Sequence, residues 1–203
     1  VQTLKEAGDM LERNLSRASH LIQSFKQVAV DQSTFNRRTF DLKDVVHEIM
    51  LTMRPSIKRT PFVIAEDVAP DLRLDSYPGP LGQVLMNLVN NALIHGLEDR
   101  EGGTITIRAH AEQTGWVMLS VADDGCGIAP DRQKRIFDPF FTTRLGKGGS
   151  GLGLHIVFNI VTGLLGGTID VTSTQGKGSE FRLRLPVLAP VKNEALVKKE
   201  TQP

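Results

Sequence analysis

Three asparagines and a histidine lie within one otherwise apolar segment, residues 83–96 (QVLMNLVNNALIHG). Asn87 and Asn91 are four residues apart, so a helix would place both side chains on one face, away from its apolar side. An amide oxygen can bind Mg²⁺ while the metal keeps its waters and phosphate oxygens. A single asparagine would be an ordinary surface residue, but Asn90 and His95 beside this pair indicate a site for metal and phosphate.

A second polar segment, VADDGCGI (residues 121–128), ends a predicted strand on Asp123 and continues through Gly125 and Gly127. A carboxylate at a strand end can accept a hydrogen bond from an exocyclic amine such as that of adenine. Glycine lets the backbone pass close to a flat ring. Alone, the same pattern is more typical of a turn that follows a strand.

Residues 135–157 combine aromatic, cationic and glycine-rich stretches. Phe140 and Phe141 precede a segment that holds Arg144 and Lys147, and the glycines of GGSGLGLHIV then run directly into an apolar helix. Exposed backbone N–H groups at a helix start bind phosphate well. The spacing matches neither the dinucleotide fingerprint nor the GxxxxGK[ST] loop, so this stretch alone indicates only a mobile anion-binding loop.

The composition narrows the class of protein. With 24 Lys+Arg against 23 Asp+Glu in 203 residues, the net charge of +1 gives no reason to expect a nucleic acid partner. A lone cysteine, Cys126, excludes an internal disulfide and fits a reducing compartment. The longest apolar runs, such as residues 160–165, fall short of the ~20 residues that a membrane helix needs. Because the chain begins at Val1 without an initiator methionine, we expect a fragment of a longer protein.

The first predicted element is a helix over residues 4–29, with a heptad seam of Leu11, Leu15, Ala18, Ile22, Phe25 and Ala29. It is either an amphipathic helix packed on its own domain or one strand of a coiled-coil or four-helix dimer. A polar linker follows at 31–39, and Asp41 is a predicted N-cap for a helix from Leu42 to about Ser56.

The remaining elements predict an α+β fold, a two-layer sandwich in which helices cover one face of a mixed, mostly antiparallel sheet. The predicted segments are a strand at 61–65, a helix at 80–95, a hairpin of strands 104–111 and 116–123, a helix at 152–165, and a hairpin of strands 168–173 and 180–185. We therefore expect a domain over residues 40–188 and a disordered tail over 189–203.

Four motifs in order carry a resemblance to a known family: NLVNNA, DDGCGI, FDPFFTTR and GGSGLGL. From about Phe40 to Pro186 the chain resembles the catalytic, ATP-binding domain of sensor histidine kinases, within the wider family of gyrase, Hsp90 and MutL. The resemblance implies the Bergerat ATP-binding fold, with ATP and Mg²⁺ as ligands. It also implies that residues 1–30 are the second helix of a dimerisation and phosphotransfer hairpin.

The resemblance implies roles for individual residues. Asn91 would coordinate Mg²⁺, with Asn87 beside the phosphates or metal waters, and Asp123 would bind the adenine amino group. Arg144 would meet the γ-phosphate and complete a catalytic set with the two asparagines. The other implied nucleotide-binding residues are His95, Gly125, Gly127, Phe140, Thr142, Thr143, Lys147, Gly149, Gly151, Leu152, Gly153 and Ser179.

By the same resemblance, the chain would transfer the γ-phosphate of ATP to a histidine, for relay to an aspartate of a response regulator. The acceptor helix of the hairpin is missing from this sequence, so we do not expect this chain alone to phosphorylate itself. His47, followed by Glu48, is the best local match to an acceptor, but it lies beyond the hairpin. The full-length protein would be a homodimer with this domain in the cytoplasm, and many family members are anchored in the bacterial inner membrane.

Two alternatives stay open at this point. The first is an ATPase or serine kinase of the same wider family, and the second is a nucleotide-binding interaction module without catalysis. In the hydrolysing relatives, the residue four before the metal-binding asparagine is a glutamate that activates water. Here that residue is Asn87, and an amide cannot take the proton. Efficient ATP hydrolysis is therefore disfavoured.

Overall fold

The computed structural model describes residues 36–58, 60–97, 100–112, 115–143 and 150–191. The helix predicted at 4–29 lies outside these residues, as do Arg144, Lys147 and Gly149. In the described part of the chain, no helix is both long enough and apolar enough to cross a membrane.

The described residues contain seven strands and four α-helices. The strands are β1 (Arg38–Asp41), β2 (Phe62–Val68), β3 (Arg73–Ser76), β4 (Gly103–Ala111), β5 (Trp116–Asp123), β6 (Thr168–Thr174) and β7 (Gly178–Pro186). The α-helices are α1 (Leu42–Ile57), α2 (Pro78–Asn91), α3 (Pro130–Gln133) and α4 (Gly153–Asn159).

The main sheet has the strand order β2-β4-β5-β7-β6, in which β2 and β4 are parallel and the other neighbours are antiparallel. Alternate residues of β5, such as Val117, Leu119 and Val121, are buried beneath the helices. On the opposite face Arg108 and Arg182 are exposed. The predicted α+β sandwich with a mixed, mostly antiparallel sheet and helices on one face is confirmed.

Helix α1 begins where its cap predicts. The side chain of Asp41 accepts a hydrogen bond from the backbone N–H of Lys43 (2.9 Å), which satisfies a donor that the helix start leaves free. The buried side chains Leu42, Val46 and Met50 then attach the helix to the core.

Helix α2 differs from the regular helix predicted to reach His95. It ends at Asn91 and continues as one wide π-helical turn over Ala92–Gly96. The backbone N–H of Leu97 bonds the carbonyl of Ala92, while the carbonyl of Gly96 accepts a hydrogen bond from Cys126 N (2.8 Å). The wide turn thus connects this helix to the DDGCGI loop.

A small second sheet, β1 paired antiparallel with β3, was not predicted. Strand β1 begins at Arg38, inside the segment predicted as linker. The guanidinium of Arg37 binds both carboxylate oxygens of Asp75 on β3, at 2.9 and 3.0 Å. Four-residue strands carry too little alternation to be recognised in sequence, and their pairing here joins residues far apart in the chain.

The start of the predicted tail is also ordered by contacts. Ala189 is buried, and its N–H donates to the backbone carbonyl of Asp75 (3.0 Å). The hydroxyl of Tyr77 donates to the carbonyl of Pro190 (3.2 Å). The prediction of disorder is therefore wrong for these two residues, because β3 supplies the partners of their backbone. Residues 192–203 lie outside the described chain.

Candidate functional site

A cavity of about 410 Å³ opens between α2, the end of β5 and the segments that lead to α3 and α4. Apolar and polar residues line it together. Asp123 and Asn87 mark its two polar ends, because Asn87 precedes Gly96, which faces Asp123, by nine residues of helix, about 13 Å along the axis. The apolar lining residues are Ile94, Ile128, Ile136, Phe141 and Leu154. Such a combination is typical of a site for a small organic ligand with polar ends.

Asp123 marks one polar end of the cavity. Its Oδ1 accepts a hydrogen bond from Gly125 N (2.9 Å). Burial raises the pKa of this carboxyl above its ordinary value, although the N–H groups of Gly125 and Ser179 favour the charged form and oppose the rise. A partly desolvated carboxylate is a strong acceptor for an amine donor of a ligand.

Glycines are needed around this carboxylate because the backbone segments approach closely. A Cβ on Gly96 would lie 2.8 Å from Asp123 Oδ1, and one on Gly125 would overlap the carbonyl of Gly96. Gly127 has a φ of 69°, and a Cβ there would overlap the carbonyl of Thr174. The DDGCGI loop is thus held between the π-helical turn and the end of β6.

Ser173 on β6 holds the loop at this end, and no sequence motif indicated this role. Its Oγ accepts from Ile128 N (2.7 Å) and donates to the carbonyl of Gly178 (2.8 Å). The Ser179 hydroxyl, 3.1 Å away, is then left to donate to Ser173. Since Ser179 pairs with Asp123 in the β5–β7 register, Ile128 lies at the same end of the cavity as the carboxylate.

The other polar end carries the asparagines of α2. Asn87 donates through Nδ2 to the carbonyl of Gln83 (3.0 Å). Its Oδ1 lies 3.3 Å from the position that a Cβ on Gly153 would take, so this oxygen faces the start of α4. Asn91 also lines the cavity, and its side chain makes no hydrogen bond to another described residue.

This end fits a magnesium ion that is shared with phosphate. Within the described ranges, no group of three or more His, Cys, Asp or Glu side chains could hold a metal alone. Mg²⁺ commonly takes one or two protein oxygens and completes its shell with phosphate oxygens and water. The amide oxygens of Asn91 and Asn87 suit that limited share, which leaves room for the phosphates of a ligand.

The segments on either side of residues 144–149 close the cavity near α4. Gly151 has a φ of 68°, and its Cβ position lies 2.5 Å from the carbonyl carbon of Phe140. Helix α4 is tied to the FDPFFTTR segment by His155, whose Nδ1 lies 3.0 Å from the carbonyl of Phe137. Asn159 Nδ2 lies 3.1 Å from His155 Nε2, so the amide donates there and Nδ1 carries the ring proton.

The predicted site residues fall into three groups. Ten of them line this one cavity: Asn87, Asn91, His95, Asp123, Gly127, Thr142, Thr143, Gly151, Gly153 and Ser179. Three are described but do not line it: Gly125 packs beneath Asp123, Phe140 is exposed and Leu152 is buried. Arg144, Lys147 and Gly149 lie outside the described residues. The individual ligand roles stay predictions.

Several lining residues were not selected from the sequence as site residues. Most of them occupy motif positions or follow the first motif directly, so inclusion of these positions would have found them: Asn90, Ile94, Gly96, Cys126, Ile128, Phe141, Ser150 and Leu154. The remainder are Arg132 and Ile136. Arg132 carried no signal, because one arginine in a charged helical turn is an ordinary surface residue.

Comparisons with known proteins agree with this geometry. Residues 77–189 match the family described as histidine kinase-, DNA gyrase B- and HSP90-like ATPase. The sensor histidine kinase ZraS of Salmonella typhimurium is 35% identical over 192 residues, which cover 93% of this chain and 38% of that protein. The chain thus spans well under half the length of the curated relatives it matches.

Two solved structures share the fold at appreciable identity. The nucleotide-free catalytic domain of histidine kinase ThkA is 28% identical with a TM-score of 0.65, covering 76% of this chain and 99% of that one. The complex of histidine kinase ThkA with response regulator protein TrrA is 26% identical with a TM-score of 0.67, covering 91% of this chain and 51% of that one.

Proposed function

Because this chain belongs to the histidine kinase-, DNA gyrase B- and HSP90-like ATPase family, we propose that it transfers the γ-phosphate of ATP to a histidine. It would serve as the Mg·ATP-binding catalytic domain of a two-component sensor histidine kinase. The observation that carries the proposal is one cavity with a carboxylate at one end and two asparagine amides at the other. These ends suit the amino group of adenine and the magnesium-bound phosphates.

The cavity residues would bind and orient the nucleotide. The carboxylate of Asp123 accepts the hydrogen bond of the adenine amine, and Ile128 and Ile136 supply apolar wall beside it. Asn91 and Asn87 direct amide oxygens toward the metal and its waters. Mg²⁺ held there would supply positive charge that offsets the charge on the phosphates. Arg144 and Lys147 stay proposed contacts of the γ-phosphate.

The chemical step is an in-line displacement. The γ-phosphorus forms a bond to an imidazole nitrogen of the acceptor and loses its bond to the bridging oxygen, which leaves with ADP. The proton of the nitrogen passes to a base beside the acceptor histidine. Since phosphoryl transfer depends mainly on positioning and charge stabilisation, a domain that holds Mg·ATP rigidly supplies most of what is needed.

The partners of the whole protein belong to the same proposal. The acceptor hairpin, from its own or the partner subunit of a homodimer, would receive the phosphate. The receiver domain of a response regulator would take it next, and the structural relative in complex with a response regulator supports this partner class. We place the domain in the cytoplasm, where ATP and response regulators are found.

Asn87 favours a kinase over a hydrolase of the same family. An activating base must take a proton from the attacking water. The Asn87 amide has no such capacity, and its nitrogen already donates to Gln83 O. We therefore expect slow steady-state ATP hydrolysis by this chain without an acceptor.

The direct test mixes this chain with a separately prepared acceptor hairpin of its parent protein, Mg²⁺ and γ-labelled ATP. We expect acid-labile, base-stable label on the hairpin, as phosphohistidine gives, and loss of that label with Asn91→Ala. The control is Asn36→Ala, since Asn36 is exposed before β1 and does not line the cavity. Bound ATP without label on the hairpin would refute the kinase proposal. Label that survives acid would indicate a serine kinase instead.

A further inference from the structure

One arginine at the cavity has no role in the proposed chemistry. Among the described residues that line the cavity, Arg132 is the one with a permanent positive charge. Its side chain is exposed and makes no hydrogen bond or ion pair with another described residue. The guanidinium is therefore available to a ligand.

The backbone that carries Arg132 is firmly positioned. The next residue, Gln133, donates through Nε2 to the carbonyls of Ile128 (2.7 Å) and Ser173 (3.0 Å). The N–H of Arg132 itself donates to the carbonyl of Ala129 (3.0 Å). These bonds fix α3 against the DDGCGI loop and the end of β6, so the backbone from which the Arg132 side chain extends has a defined position beside the cavity.

The neighbouring cations are engaged or placed differently. Arg135 pairs with Asp138 (3.4 Å) and stacks over the ring of Phe141, 4.9 Å from its centroid. Lys134 is exposed and does not line the cavity. In this charged turn, Arg132 alone combines a free charge with access to the ligand space, within the part of the chain that the structure describes.

The position of Arg132 selects the part of the ligand it meets. Arg132 lies four residues after Ile128. Ser173 bonds both Ile128 N and the hydroxyl of Ser179, and Ser179 pairs with Asp123, so Ile128 lies at the Asp123 end of the cavity. The asparagines lie at the opposite end. A ligand whose amine meets Asp123 therefore presents its base, not its terminal phosphate, near Arg132. A planar guanidinium stacks well on an aromatic face.

We infer that Arg132 is a binding residue for the nucleoside part of ATP, with its guanidinium stacked on the open face of the adenine ring. The inference rests on the proposed function, because it takes an adenine nucleotide as the occupant of the cavity. It assigns affinity for the base to a residue outside the four motifs.

The test measures the affinity of the 203-residue chain for adenosine and for Mg·ATP by titration calorimetry. We expect Arg132→Gln to weaken both ligands by the same factor, about 3- to 30-fold, as the loss of a cation–π contact would. Arg132→Lys should give an intermediate loss, because it keeps the charge but not the plane. The matched control Lys134→Gln removes an equal charge two residues away and should change neither affinity by more than about two-fold, as distant surface charges are screened.

Three outcomes would decide against the inference or its premise. Unchanged adenosine affinity in Arg132→Gln would refute the stacking contact. Loss for Mg·ATP alone would also overturn it, because the arginine would then act on phosphate. A wild-type chain that binds neither ligand would refute the proposed function instead. Equal thermal unfolding of the variants and the wild type confirms that the side chain, and not the fold, is being measured.

Discussion

Asp123→Asn is the most informative change at the base-binding end of the cavity. Oδ1 of the carboxylate is already held by Gly125 N at 2.9 Å. In the variant, the amide oxygen keeps that bond and the NH₂ group replaces the second carboxylate oxygen. Two donors, the amide of the protein and the amine of adenine, then face each other. The variant loses a charge-assisted hydrogen bond and leaves a buried donor without an acceptor.

The expected loss follows from these groups. A hydrogen bond to a charged group contributes about 1.5–3 kcal/mol, which corresponds to roughly a 10- to 150-fold rise in the Kd of ATP. The control is Asp124→Asn, the same substitution one residue on. Asp124 Oδ1 accepts from Thr104 N (3.0 Å) and does not line the cavity, so nucleotide affinity should be unchanged there.

The assay is titration with Mg·ATP and Mg·ITP. Hypoxanthine carries an oxygen acceptor where adenine has its amine, so the asparagine amide should donate to it. We expect Asp123→Asn to lose affinity for ATP and to gain affinity for ITP relative to ATP. Equal affinity of variant and wild type for ATP would refute the assignment of Asp123 to the base. A uniform loss for both nucleotides would show that the substitution damages the cavity and not a specific bond.

The same substitution should affect stability in the opposite direction. Burial raises the pKa of Asp123, so between its ordinary and raised pKa the folded state binds more protons than the unfolded state. Stability therefore falls as the pH rises through that window and stays lower at neutral pH. Asparagine removes this cost. We expect the ligand-free variant to have a Tm at neutral pH equal to or above that of the wild type, while nucleotide binding weakens.

Three further predictions follow from the described contacts. Wild-type affinity for adenosine should fall as the pH is lowered toward the raised pKa of Asp123, because the neutral acid is a poorer acceptor; Asp123→Asn should not show this loss in the same titrations. Gly127→Ala should lower the free energy of unfolding by more than Gly176→Ala. Both have positive φ, which alone costs about 1 kcal/mol, but only the first meets backbone within 4 Å; equal denaturation curves would contradict this. Ser173→Ala should cost about 1–3 kcal/mol in urea unfolding, as it leaves the N–H of Ile128 without a partner; an unchanged midpoint would show that water replaces the hydroxyl.

Local patterns account for what was predictable in the fold. The hairpins β4–β5 and β6–β7 have alternating side chains and short connections, and the Asp41 cap fixes the start of α1. The parallel pairing of β2 with β4 had no local signal, because residues 69–102 intervene and pairing is decided by the shared core. The β1–β3 pair and the ordered Ala189 depend likewise on contacts between distant segments.

The candidate site likewise has features that local sequence patterns predict and features that depend on contacts between distant segments. Spacing predicted that Asn87 and Asn91 share a face, since both lie within the regular part of α2. The widening of the helix beyond Asn91 could not be predicted from the apolar pattern. It accompanies the hydrogen bond from Cys126 N to the carbonyl of Gly96, which joins segments that are distant in the sequence. Ser173 and Arg132 are common surface types, and only the fold reveals which of them faces a loop or a cavity.

Asp75 bonds both to the segment before the domain's first strand and to the segment after its last strand. Asp75 binds Arg37 through its carboxylate, and its backbone N–H and carbonyl bond Val187 O (2.8 Å) and Ala189 N (3.0 Å). A pull or a twist applied at Arg37 or at Ala189 would therefore act on the same few bonds of β3. Two residues beyond Asp75, Tyr77 is the N-cap of α2 and fastens to Pro190. A displacement of either segment would thus reach the start of the helix that carries the asparagines.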